Sequence, residues 1–222
     1  MKRAIILLAM LAAAGLAGAQ MFAQMFGAAT GPLPAGWTEC EYLESTGMQY
    51  INTGFAPTLY TTDIEVDCMS LAANNRMWGV TESIGGVYSR IAEQFTSGGL
   101  IYMYPTTTGG SSAGLGHSIS NRAVIAVSAN KVYTDGVLKF THVGPGAVFT
   151  KPMFVLGDNN AGTPALGKSR LYGCRIRSSG VLVRDYLPAL DGDGVPCLYD
   201  AVTQTPFYNA GTGDFLYKIK EH

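Results

Sequence analysis

Hydrophobic and polar residues alternate with period two along much of the chain after Trp37. Ile64, Val66 and Cys68 interleave with Asp63, Glu65 and Asp67, and Ile101 and Met103 with Tyr102 and Tyr104. Every second residue of a strand faces the same side, so both stretches predict strands with one buried and one outward face. Val124-Ile125-Ala126-Val127 is apolar throughout, as in a strand covered on both faces. Val132 to Leu138 predicts a hairpin, because Asp135-Gly136 readily takes the positive φ angles of a type I′ turn. Phe154 to Gly157, Leu171 to Arg177 and Val181 to Val183 add strands, the last two joined across Ser179-Gly180. Nowhere after Trp37 do apolar residues recur at helical spacing between caps. Many short strands without a helical crossover predict an all-β protein, an antiparallel two-sheet β-sandwich or jelly roll. Asn160-Ala161-Gly162-Thr163 recurs as Asn209-Ala210-Gly211-Thr212 between unlike flanks, which is shared turn chemistry rather than a repeat.

The N-terminus breaks this pattern. Lys2 and Arg3 precede an apolar run from Ile5 to Leu16, and Ala17-Gly18-Ala19 ends it with small residues. Those parts, in that order, predict a secretory signal peptide over 1–19, cleaved after Ala19; the competing reading is an uncleaved anchor whose apolar run continues through Met21, Phe22, Met25, Phe26 and Ala29. A leader follows over 20–36, closing with Gly31-Pro32-Leu33-Pro34-Ala35-Gly36, and one domain occupies 37–222. After cleavage no stretch approaches the ~20 apolar residues of a membrane span, so the expected location is secreted, periplasmic or at the cell surface.

Composition narrows the function. Fifteen basic against sixteen acidic residues give a formal charge of −1, which lacks the cationic surplus that binds nucleic acid. The 28 glycines fit a chain of many tight turns. Export makes Cys40, Cys68, Cys174 and Cys197 candidates for disulfides. Cys68 is in phase with Ile64 and Val66, and Cys174 with Ile176, so both point inward; Cys68–Cys174 is the preferred pair, leaving Cys40–Cys197. Buried free thiols are the alternative reading. The cysteine spacing contains no CxxC, which disfavours zinc.

Several segments fall in an order that resembles a LamG-like domain. Glu41-Tyr42-Leu43-Glu44-Ser45-Thr46-Gly47, then Gln49-Tyr50-Ile51 and Thr53-Gly54, resemble its opening strands. Lys131-Val132-Tyr133-Thr134-Asp135-Gly136 is similar to its "lyvdG" hairpin, and Phe154-Val155-Leu156-Gly157 to its "l-x-i-G" strand. Leu171-Tyr172-Gly173-Cys174-Arg175-Ile176 resembles the closing strand. The stretches from Leu182 to Pro188, Leu198 to Asp200 and Phe207 to Gly213 resemble a variant found in secreted proteins of gut bacteria and some phages. The resemblance implies a concanavalin A-like jelly roll. It implies little about function, since that fold carries lectins, glycosidases, lyases and adhesion modules alike.

Candidate chemistry is sparse. Glycosidases of this fold use E-x-D-x-x-E, and Glu65-Val66-Asp67-Cys68-Met69-Ser70 has its first two carboxylates but Ser70 in place of the last. Without the acid, leaving-group protonation is lost, so Glu65 and Asp67 read as the solvent side of a strand, and the chain as non-catalytic. His117 and His142 fall in glycine-rich turns and read as exposed. Asp158-Asn159-Asn160 and Asp191-Gly192-Asp193-Gly194 offer oxygens for calcium, but neither matches a calcium loop, so they read as turns; no cofactor is expected, with calcium as the alternative. A carbohydrate site needs aromatic platforms and planar polar groups. Trp78 (in phase with Arg76 and Val80), Tyr102, Tyr104, Asp158, Asn159 and Asn160 are the candidates. The competing reading puts Trp78 in the core. The expected function is an exported, lectin-like binding or adhesion module for glycans; a structural or protein-interaction module of the envelope is the alternative, and a glycoside hydrolase a third.

Overall fold

Strand follows strand in the computed structural model, which describes residues 33–84, 87–95, 100–103 and 111–221, and no helix lies among them. β1 (Thr38–Thr46) and β2 (Ile51–Asn52) lead to β3 (Thr62–Ser70) and β4 (Asn75–Ile84). β5 (Val87–Phe95), β6 (Leu100–Met103) and β7 (Ser111–Gly114) continue from β4. Then come β8 (Arg122–Ser128), β9 (Lys131–Thr134), β10 (Val137–Thr141), β11 (Phe154–Val155), β12 (Gly157–Asn160) and β13 (Thr163–Leu166). The long β14 (Lys168–Ser178) and β15 (Val181–Leu190) precede β16 (Pro196–Asp200), β17 (Thr205–Tyr208) and β18 (Leu216–Ile219).

These strands build two sheets. The ten-stranded one runs β10-β9-β8-β3-β14-β1-β15-β16-β17, with β18 also on β1, and the eight-stranded one runs β13-β12-β4-β5-β6-β7, with β11 and β2 attached. The result is the two-sheet β-sandwich that the alternation predicts. One pairing departs from antiparallel: Leu156, at φ 63°, re-aims the chain after β11, and β12 then lies parallel to β4. The β9–β10 hairpin turns on Asp135 (φ 49°) and Gly136 (φ 76°), both positive as a type I′ turn requires. Ser179 (φ 50°) and Gly180 (φ 81°) repeat that geometry between β14 and β15.

Burial follows the alternation. In β3, Ile64, Val66 and Cys68 are buried, while Asp63, Glu65 and Asp67 are half-buried on the other face. Leu43, Leu171, Cys174 and Ile176 join them from the same sheet, and Trp78, Val80, Ile91 and Phe95 meet them from the other. Each such side chain contributes roughly 1.5–3 kcal/mol when fully withdrawn from water. Tyr186 reaches through this core, its hydroxyl donating to the Thr53 carbonyl at 2.7 Å. A small second cluster sets Trp37 edge-on to Tyr199, centroids 5.3 Å apart, beside Cys197 and Ala189.

The first and last described strands are neighbours. β18 pairs antiparallel with β1, Cys40 opposite Ile219, and Lys218–Glu41 (2.7 Å) and Lys220–Glu39 (2.6 Å) cross the seam. Residues 1–19, read above as a signal peptide, and residues 20–32, read as part of a leader, lie outside the described residues.

Candidate functional site

Of the sequence candidates on the eight-stranded sheet, Trp78, Asp158 and Asn159 are buried and offer no open surface. Trp78 is fully buried in the core, its indole N–H donating to Glu93 Oε2 at 2.7 Å. It does not share a face with Arg76. Met77 is an extra residue between the pairs Arg76–Gln94 and Trp78–Glu93, and this bulge sends Arg76 to the opposite side. There Arg76 meets Asp158 at 3.7 Å, with Arg90 at 3.3 Å and the Thr81 hydroxyl at 3.1 Å from the same carboxylate. Asp158 is 1% exposed, and burial pushes its carboxyl up to about 6 against the pull of Arg76 and Thr81. Asp158, Asn159 and Asn160 thus form a strand and not the expected loop. Asn159 is buried too, donating to the Pro152 carbonyl and accepting from the Gly162 N–H, so it holds the following turn. Asn160 is exposed at the strand end. Tyr102 stands opposite Ala92 in register, two strands beyond Gly79 and three beyond Asp158. Tyr104 lies outside the described residues.

Both histidines read as exposed are buried. His117 Nε2 lies 2.9 Å from Glu93 Oε1, and Glu93 also takes the Trp78 indole and, at 3.7 Å, the Cys68 thiol. Glu93 is fully buried, so this knot of polar groups sits inside the sandwich, where buried polar groups persist because they are hydrogen-bonded. Alternation could not announce it, because Glu93 occupies a core position that period two assigns to an apolar residue. His142 is 1% exposed, on the wall of a different cavity.

All four cysteines are buried free thiols here. Cys68 and Cys174 do point inward from neighbouring strands, with Cys174 opposite Val66 and Cys68 opposite Leu171. Cys40 and Cys197 are poorly placed for a bond. Cys197 pairs with Ala189, and Ala189 with Glu39, so β15 stands between the two cysteines, and Cys40 projects from the face opposite Glu39. Asp191 is the hub of a turn, accepting from the Asp193 and Val195 N–H groups and the Tyr208 hydroxyl. Among the described residues, no cluster of three or more His, Cys, Asp or Glu is arranged to hold a metal ion.

The outward face of the ten-stranded sheet does converge. Register sets Arg175 opposite both Glu65 on β3 and Asp185 on β15. Its guanidinium lies 3.2 Å from each carboxylate, Nη1 on Glu65 and Nε on Asp185. Asp67 takes a two-pronged bond from Arg122 at 2.8 and 2.7 Å. Arg122 in turn covers the Tyr172 ring at 4.0 Å, Tyr172 meets Tyr42 edge-on at 5.5 Å, and Arg170 covers Tyr42 at 4.4 Å while bonding Glu44. Such guanidinium–ring contacts contribute about 0.5–1 kcal/mol at exposed sites.

A cavity of about 140 Å³ opens within this face, lined by Glu65, Asp67, Tyr172, Arg175 and Asp185. Asp185 is 1% exposed, and its Oδ2 has no hydrogen-bond partner. Burial pushes Glu65 up to about 7, with Asp67 and Asp185 adding to the push and Arg175 opposing it. Ser70, where a glycosidase motif needs its last Glu, is buried and bonded to Ala72 and Asn75. Sequence reasoning found Glu65 and Asp67 but not Arg175, Asp185 or Tyr172. Strand register supplies the first two. Tyr172 is the extra residue of a bulge between Leu171 and Gly173, which breaks phase with the rest of β14.

Fold and site together define an all-β, two-sheet sandwich with a polar cavity on one outward face. No protein-family model and no curated protein sequence matches the chain. Among solved structures, it is similar to a "putative carbohydrate binding protein" from Bacteroides ovatus, with a TM-score of 0.48 and 11% identity. The likeness covers 83% of this chain and 61% of that one, so the chain spans less than two thirds of that protein's length.

Proposed function

We propose that the protein is an exported, non-catalytic, lectin-like module of LamG-like type, and that it takes a glycan on the outward face of its ten-stranded sheet. One observation carries this reading: the cavity lined by Glu65, Asp67, Asp185, Arg175 and Tyr172. Its carboxylates accept from sugar hydroxyls and its guanidinium donates to sugar oxygens, while a tyrosine ring offers a surface for C–H groups. Asp185 Oδ2 supplies an acceptor not already engaged. Pairing with Arg175 and Arg122 holds the planar groups in place before a ligand arrives, which lowers the entropy cost of binding. The buried Ser70 supports a binding rather than a hydrolytic role.

A glycan array probed with the chain lacking residues 1–19, with and without calcium, tests it. Tyr172→Ala and Arg175→Lys are expected to weaken any hit at least tenfold by calorimetry, with the folded spectrum retained. An array without hits, or hits indifferent to both substitutions, refutes the reading. Hydrolysis of a bound glycan that Glu65→Gln abolishes refutes its non-catalytic part.

A further inference from the structure

The largest cavity among the described ones is about 390 Å³ and lies away from the Glu65 face. Tyr60, Ala129, Asn130, His142, Val143 and Gly144 line it, so three loops meet there: the one entering β3, the β8–β9 turn and the segment after β10. Two further observations fall on the same residues.

The first is an unsatisfied group. His142 is 1% exposed, and neither ring nitrogen has a hydrogen-bond partner. Buried polar groups are almost always paired, and one left unpaired in a cavity wall is a place where a ligand gains a bond. The imidazole makes no bond that must break before it swings toward the cavity. Its backbone is fixed instead, since the His142 N–H donates to the Asn130 carbonyl at 2.6 Å and the Asn130 amide to the His142 carbonyl at 3.1 Å.

The second is backbone strain. Tyr60 (φ 78°) adopts the left-handed conformation that side chains avoid, whereas Ala129 (φ 50°) takes it as part of the two-residue β8–β9 hairpin turn. Strain of this kind persists where surroundings impose it, and it collects at ligand sites. The Tyr60 hydroxyl donates to the Gly144 carbonyl, and its ring faces His142 with centroids 6.1 Å apart. Strain and bonding together hold an aromatic wall open beside the imidazole.

We propose that this cavity is a second binding site, for a small neutral aromatic molecule carrying one hydroxyl or N–H, bound against Tyr60 and hydrogen-bonded to His142. The chemistry follows from the lining. No carboxylate, ammonium or guanidinium is among the lining residues, so an ionised ligand would lose water without gaining a partner. Burial also lowers the affinity of His142 for a proton, and the neutral ring carries one donor and one acceptor. A sugar brings more hydroxyls than such a wall can pair. A flat apolar body suits Tyr60, Ala129 and Val143, the last 83% exposed at the rim.

The test titrates the full chain, with 15N-labelled histidine, with 2-naphthol at pH 8 and follows the imidazole nitrogens by NMR. A saturable shift confined to His142 is expected. His142→Phe should weaken binding at least tenfold with the melting temperature unchanged or raised, because the substitution removes an unpaired polar group. Val143→Trp, which fills the rim without touching the imidazole, should abolish binding even if the His142 variant folds poorly. 2-Naphthoate, the ionised analogue, should bind at least tenfold more weakly than 2-naphthol. No saturable shift, unchanged binding in the Val143 variant, or equal binding of naphthoate overturns the proposal.

Discussion

Glu65 keeps its proton up to about pH 7, although a guanidinium lies 3.2 Å away. Loss of water outweighs the single favourable charge, and Asp67 and Asp185 tip the balance further. The sign of the resulting pH dependence follows. The folded chain binds this proton more tightly than the unfolded chain, whose glutamate titrates near 4.5, so the contribution of Glu65 to stability is full below pH 4.5 and is lost as pH rises to about 7. Asp158 acts in the same direction between 3.8 and about 6, so the difference between wild type and Glu65→Gln isolates Glu65. Measured by urea unfolding, that difference should fall across pH 4.5 to 7 and level off above. A difference flat with pH contradicts the account.

At the scale of elements, the pair β4–β5 depends on one residue having no side chain. A Cβ on Gly79, at φ 142°, would sit 2.2 Å from the Ala92 Cβ and 2.4 Å from its Cα. Gly79→Ala must therefore part the strands, and a loss of about 3 kcal/mol or more in urea unfolding is expected. Ala92→Gly should restore only part of it, since the backbone contact remains; full tolerance of Gly79→Ala would show that the strands are looser than drawn. The same strands show where sequence reading stops. The alternation in β3, the Asp135-Gly136 turn and the Ser179-Gly180 turn were legible because each depends on near neighbours alone. The faces of Arg76 and Tyr172 were not, because a single extra residue inverts the phase, and nothing local marks Met77 or Tyr172 as extra. Glu93 and His117 were illegible for a different reason: each finds the other from 24 residues away. The Glu65 cavity was half legible, since β3 displays its carboxylates openly, while Arg175 and Asp185 join them only through register.

The whole molecule closes its thiols off from solvent. Burial pushes Cys40 up to about 11 and Cys197 up to about 12, and holds Cys68 and Cys174 protonated as well. Buried and protonated thiols are poor nucleophiles. Ellman's reagent should therefore find none reactive in the folded chain at pH 8 and all four after guanidinium unfolding. Two after unfolding would mean that one pair has bonded, and Cys68 with Cys174 is the pair whose strands adjoin. The seam between β1 and β18 acts on the same scale. Because Cys40 faces Ile219, chain arriving at β1 and chain leaving β18 emerge at one corner of the sandwich. Mechanical load across those two ends would peel the strands apart one rung at a time, the weak direction of a β-ladder, with the Glu39–Lys220 bridge first to yield. Tension that enters through β1 alone and is taken up at the Glu65 face passes instead from β1 into β14, within the ten-stranded sheet, and leaves β18 unloaded.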